Sequence, residues 1–102
     1  MSYLRDPLAY EGEYGWLFRI ETDFDATGVN TIQIEFKAPD GTKTLKTATA
    51  VTTNAAGDFQ YTVEESFFVA GKWTAQLVLT WTSTKVLKSK FFRFNIGAAS
   101  SA

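Results

Sequence analysis

Bulky apolar side chains recur at every second position along most of this chain, a period that puts successive side chains on opposite faces of an extended backbone. An amphipathic helix would repeat every three to four residues instead. Over residues 14–22 the inward set reads Tyr14, Trp16, Phe18 and Ile20, with Arg19 and Glu21 outward and Leu17 as the one misfit. A second strand sets Ile32, Ile34 and Phe36 against Gln33, Glu35 and Lys37. Phe59, Tyr61 and Val63 form a short third inward set. The longest run places Trp73, Ala75, Leu77, Leu79 and Trp81 on one face, with Lys72, Thr74, Gln76 and Thr80 on the other, which marks it as the central strand.

Turn chemistry separates these runs. Ala38-Pro39-Asp40-Gly41 combines a residue with preset φ, a side chain that bonds its own backbone and a residue that accepts positive φ, so a hairpin is expected there. Asn54 to Asp58 is a second turn. The Thr-rich stretch 42–52 alternates weakly, as a half-solvated edge strand does. Residues 64–70 break the pattern and are expected to form one helical turn between the sheets, with Phe67 or Phe68 plugging the core. In the last strand Phe92, Phe94 and Ile96 share one parity and Leu87 the other, which a bulge near Lys88 to Lys90 reconciles, because one extra residue flips the facing of all that follow.

Six strands spaced by turn signals, with no helix long enough for a crossover, predict an all-β fold: an immunoglobulin-like antiparallel β-sandwich of about six to seven strands. A small closed barrel is the alternative. With 102 residues there is room for one core and no second. The expected organisation is an extended arm over residues 1–12, the sandwich over 13–97 and a short tail over 98–102.

The same sequence excludes much chemistry. Cysteine and histidine are both absent, so no disulfide, thiolate metal site or imidazole general base can be built. Asp23 and Asp25 with Asp58 or Glu64 could offer oxygens to calcium, but the spacing lacks a calcium-loop pattern, and Asp in such turns commonly bonds the backbone. Glu64 and Glu65 are neighbours on an extended chain and point apart, so they do not converge on one bond. No nucleophile motif and no phosphate loop is present. No enzyme activity, metal or cofactor is expected, nor a small-molecule substrate. Asp6 and Pro7 stand where a secretory leader would have its apolar run, and no stretch approaches a membrane span, so no leader and no membrane association are expected.

Charge is uneven along the chain. Residues 1–65 hold all eleven acids and five of the ten bases; residues 66–102 hold the other five bases and no acid. Trp81 followed by Lys85, Lys88 and Lys90 could be read as a nucleic-acid ribbon. The inward parity of Trp81 and the slightly acidic whole favour a solvated face or a protein contact, and Lys85 and Lys88 are taken as candidates for the latter. The first ten residues present Tyr3, Leu4, Pro7, Leu8 and Tyr10, an apolar arm that either orders against a partner or folds back as an extra edge strand.

Gly12-Glu13-Tyr14-Gly15-Trp16, then Ile32-x-Ile34-x-Phe36-Lys37-x-Pro39-Asp40-Gly41, then Ala70-Gly71-Lys72-Trp73 leading to Gln76-Leu77, and finally Ser89 before Phe92-x-Phe94-x-Ile96 resemble small immunoglobulin-like proteins of tailed phages. These include the N-terminal domain of the phage baseplate upper protein. The resemblance covers about residues 10–96. It implies a structural virion protein, made in the host cytoplasm and present in several symmetric copies, that attaches to other virion proteins. Its place would be that of a tail, baseplate or neck adaptor or a fibre-attachment domain. Capsid decoration and binding of carbohydrate or a host surface are the alternatives; the last requires an exposed indole among Trp16, Trp73 and Trp81.

Overall fold

The computed structural model describes residues 7–82 and 85–98. In chain order the strands are β1 (Ala9–Tyr10), β2 (Leu17–Glu21), β3 (Thr31–Lys37), β4 (Lys43–Thr47), β5 (Thr49–Ala50), β6 (Asp58–Thr62), β7 (Gly71–Trp81), β8 (Lys85–Lys88) and β9 (Phe92–Gly97). One 3-10 turn, Asn54–Ala56, is the only helical piece among the described residues. Two sheets face each other. The larger runs β1-β9-β7-β3-β4, with β8 also on β7, and the smaller runs β2-β6-β5.

Nine strands stand where six to seven were expected, because two expected strands are each divided and the arm contributes a ninth. The Thr-rich stretch is cut at Ala48. Before it, β4 pairs with β3 in the larger sheet; after it, β5 pairs with β6 in the smaller. Ala48 is 4% exposed and donates its N–H to the Ile32 carbonyl at 2.9 Å, which anchors the crossing point between sheets. The last strand is cut at the bulge. Leu77 still faces Ser89, while Ala75 faces Phe92, so two steps along β7 oppose three along its partner. That extra residue lets Leu87, before it, and Phe94 and Ile96, after it, all turn toward the core.

Residues 64–70 form no helical turn. Phe67 donates its N–H to the Glu64 carbonyl at 3.2 Å, and Ser66 sits at φ 64°, a left-handed conformation that cannot propagate a right-handed helix. Phe68 nonetheless plugs the core at 2% exposure. Its ring lies 4.8 Å from Trp73, 5.5 Å from Phe36, 5.6 Å from Phe94 and 5.8 Å from Trp16, within the range of favourable aromatic contacts. Ile20, Ile34, Phe36, Phe59, Val63, Leu77 and Leu79 fill the space between the sheets.

Tyr14, expected inward, is 59% exposed, because β2 begins only at Leu17 and residues 12–15 form a loop ahead of it. Leu17, the misfit of the alternation, does point outward and is 49% exposed. On the open side between β4 and β6, Lys46 takes the inward parity of Ile34. Its Nζ lies 3.0 Å from the Glu64 carboxylate and 5.0 Å from the centre of the Phe67 ring, closing that side with its stem and keeping its charge wet.

Candidate functional site

The arm folds back on its own domain, at least from residue 7 onward. β1 pairs with β9, and this pair is parallel where every other pair is antiparallel. Leu8 donates its N–H to the Asn95 carbonyl at 2.9 Å, and Glu11 donates to Gly97 at 2.8 Å. Ala9 is buried, Pro7 and Leu8 are half-buried, and the Tyr10 ring lies beside Gly97 while the residue stays 50% exposed. Tyr3 and Leu4 lie outside the described residues.

Between this arm and the start of β2 runs a crevice of about 640 Å³, walled by Leu8, Ala9, Gly12, Glu13, Tyr14, Trp16 and Leu17. Trp16 packs on Phe68 and Phe18, yet its Nε1 is buried with no hydrogen-bond partner, the only such side-chain atom among the described residues. Sequence reasoning placed Tyr14 in the core and so missed this apolar rim. The one available signal was Leu17, whose parity did not fit.

Lys85 and Lys88 do not form one site with the arm. Lys85 pairs across β7 and β8 with Trp81, and its Nζ lies 4.1 Å from the centre of that indole. Lys88 stands exposed opposite Val78 on the outer face of the larger sheet. None of the three indoles offers a bare stacking platform. Trp73 is 4% exposed and donates to the Val69 carbonyl, Trp81 donates to the Thr27 carbonyl and is covered by Lys85, and Trp16 is packed as described.

The turn carboxylates Asp25 and Asp40 serve the backbone. Asp25 accepts the hydroxyl and N–H of Thr27, Asp40 accepts the N–H of Thr42, and both are held below the ordinary carboxylate range by those bonds. Glu64 is lowered by its bond to Lys46 and then by the Tyr61 hydroxyl, which donates at 2.9 Å. Burial, and then this carboxylate, push the Tyr61 phenol well above its usual value. No three carboxylates among the described residues gather closely enough to hold a metal ion.

The segments that carry the sequence resemblance meet in space. The Pro39 ring fills the place a Cβ would take at Gly71, which would lie 2.5 Å from the Pro39 Cγ, so the first hairpin turn packs on the start of β7. The family model of the BppU N-terminal domain matches residues 19–101, from β2 to beyond β9. The chain belongs to the BppU N-terminal domain family. BppU is the phage baseplate upper protein, and the family is a structural domain of the phage baseplate, hence a component of the virion that meets other virion proteins. It is not a known enzyme family. Comparison with curated proteins and with solved structures returns no match. The BppU_N match begins after β1 and after the crevice wall, so the arm and Tyr14 lie outside the part the family defines.

Proposed function

We propose that this domain is an attachment module of a tailed-phage particle, holding a neighbouring structural subunit at the tail, baseplate or neck. The observation that carries this reading is the crevice beside the arm. It is open, apolar at Tyr14 and Leu17, and bordered by a buried indole N–H that lacks an acceptor. A partner segment with an apolar side chain suits this surface. Membership of a baseplate structural family supports the same direction.

The test separates attachment from folding. Tyr14 is 59% exposed, so a Tyr14→Asp variant is expected to fold as the parent does, by circular dichroism and thermal melting. It is expected to fail to enter particles assembled in a complementation assay. Normal incorporation of the folded variant would remove the crevice from the attachment surface.

A further inference from the structure

The outer faces of the two sheets carry charge rows of opposite sign at the same spacing. On the larger sheet, Lys43 sits directly across from Lys37, Lys37 from Thr74, and Thr74 from Arg93, a row with three bases and no acid. Two residues back along β3, Glu35 stands between Leu45 and Gln76. On the smaller sheet, Glu21 sits directly across from Asp58, and two residues back along β2, Arg19 faces Gln60. In each case the second row lies about 6.6 Å from the first, so the order is base then acid on one face and acid then base on the other.

Like charges directly across a strand pair destabilise it, and this fold keeps one such pair of each sign. Among the described residues the one ion pair is that of Lys46 with Glu64, so no ion pair there relieves either like-charge pair. The asymmetry extends over the whole face. Lys37, Lys43, Lys72, Lys88 and Arg93 share the outer side of the larger sheet, whereas Glu35 is its one acid among the described residues. Each face also shows an exposed leucine, Leu45 at 52% and Leu17 at 49%.

We propose that these faces bind each other between copies, the smaller sheet of one domain lying on the larger sheet of the next. Glu21 and Asp58 then meet Lys37 and Lys43, Arg19 meets Glu35, and β2 of one copy runs in the same direction as β3 of its neighbour. The contact is heterologous: a pair keeps one free basic and one free acidic face, so further copies can add. This rests on the structural reading above and names one of the neighbours as a second copy of the chain.

The experiment is sedimentation of the purified chain across a concentration series at about 50 mM and about 0.5 M salt, since screening weakens surface charge pairing. At low salt the average mass is expected to rise past that of a dimer, and at high salt to return to the monomer. Lys37→Glu with Lys43→Glu gives the β3–β4 row the acidic sign of the row it would meet, and Glu21→Lys with Asp58→Lys gives the β2–β6 row the basic sign of its counterpart. Each double variant, shown folded by circular dichroism, is expected to lose at least tenfold in self-association, and an equimolar mixture of the two to regain it. Should Asp58→Lys prevent folding, Glu21→Lys alone replaces it in the mixture. A parent chain monomeric at every concentration, or association that survives both variants, or a mixture that stays monomeric, overturns the self-contact. Each of these outcomes leaves attachment through the crevice to be decided by the incorporation assay.

Discussion

Leu77 donates its backbone N–H to the Ser89 hydroxyl at 2.9 Å, and Ser89 returns its own N–H to the Leu77 carbonyl at 3.0 Å. This side-chain bond stands in for a ladder bond at the point where the bulge interrupts β8 and β9. The hydroxyl also donates to the Lys90 carbonyl at 2.8 Å, so one buried oxygen satisfies a donor and an acceptor. Ser89→Ala leaves the Leu77 N–H buried without a partner in the middle of the central strand. The expected loss is about 1–3 kcal/mol, the desolvation cost of one orphaned polar group, read as a lower urea midpoint at unchanged slope.

Two turn glycines separate strain from collision. Gly57 and Gly41 both have left-handed φ, 84° and 93°, but a Cβ at Gly57 would lie 2.2 Å from the Thr22 carbonyl oxygen, whereas nothing lies within 4 Å of one at Gly41. Gly57 also accepts both the N–H and the hydroxyl of Thr22, so it cannot shift without breaking the closure between β2 and β6. Gly41→Ala is expected to cost about 1–2 kcal/mol from backbone strain alone. Gly57→Ala is expected to cost roughly 4 kcal/mol or more, because the collision is with backbone. Thermal melting of both variants checks the order; equal losses would contradict it.

The acid sensitivity of the fold is expected to pass in part through Glu64. Its carboxyl is held below its ordinary value of 4.5 by Lys46 first and the Tyr61 hydroxyl second. A lowered acid pKa adds stability that is fully present above the unfolded value and is lost as the pH falls through the folded one. Glu64→Gln is therefore expected to flatten the fall in denaturation midpoint below about pH 5, without abolishing it, since Asp25 and Asp40 are lowered too. At the alkaline end the sign reverses for Tyr61. Burial raises its phenol, so its contribution is complete below the ordinary value of 10.0 and fades as the pH climbs beyond it.

What the sequence could and could not reveal follows from the kind of signal each feature leaves. Period-two patterning located Phe18, Ile20, Ile34, Phe36, Phe59, Tyr61, Val63, Trp73, Ala75, Leu77 and Leu79 in the core, because a half-buried strand must repeat that way. The bulge was legible from the parity conflict between Leu87 and Phe94. Ala48 left no such trace, since a strand that changes sheets keeps extended backbone throughout and carries no turn residue there. Tyr14 was misplaced because alternation continues by accident through the loop ahead of β2. The charge rows were invisible for a different reason. Lys37 and Lys43 are close in the chain and readable as a hairpin pair, but Glu21 and Asp58 are brought together only by the pairing of β2 with β6.

Lys43→Glu sets stability against association in a single residue. Lys37 and Lys43 face each other on the last register position of β3 and β4, and a carboxylate at 43 converts a repulsive cross-strand pair into an attractive one. The isolated domain is then expected to gain about 0.2–1 kcal/mol, measured by urea denaturation at a concentration where the parent is monomeric. The same substitution removes a positive charge from the face that the acidic row of a second copy would meet, so self-association at low salt is expected to weaken as stability rises. If Lys43→Glu destabilised the monomer, the row would have to be supported by an intramolecular contact, and the argument for a neighbour on that face would lose its physical basis.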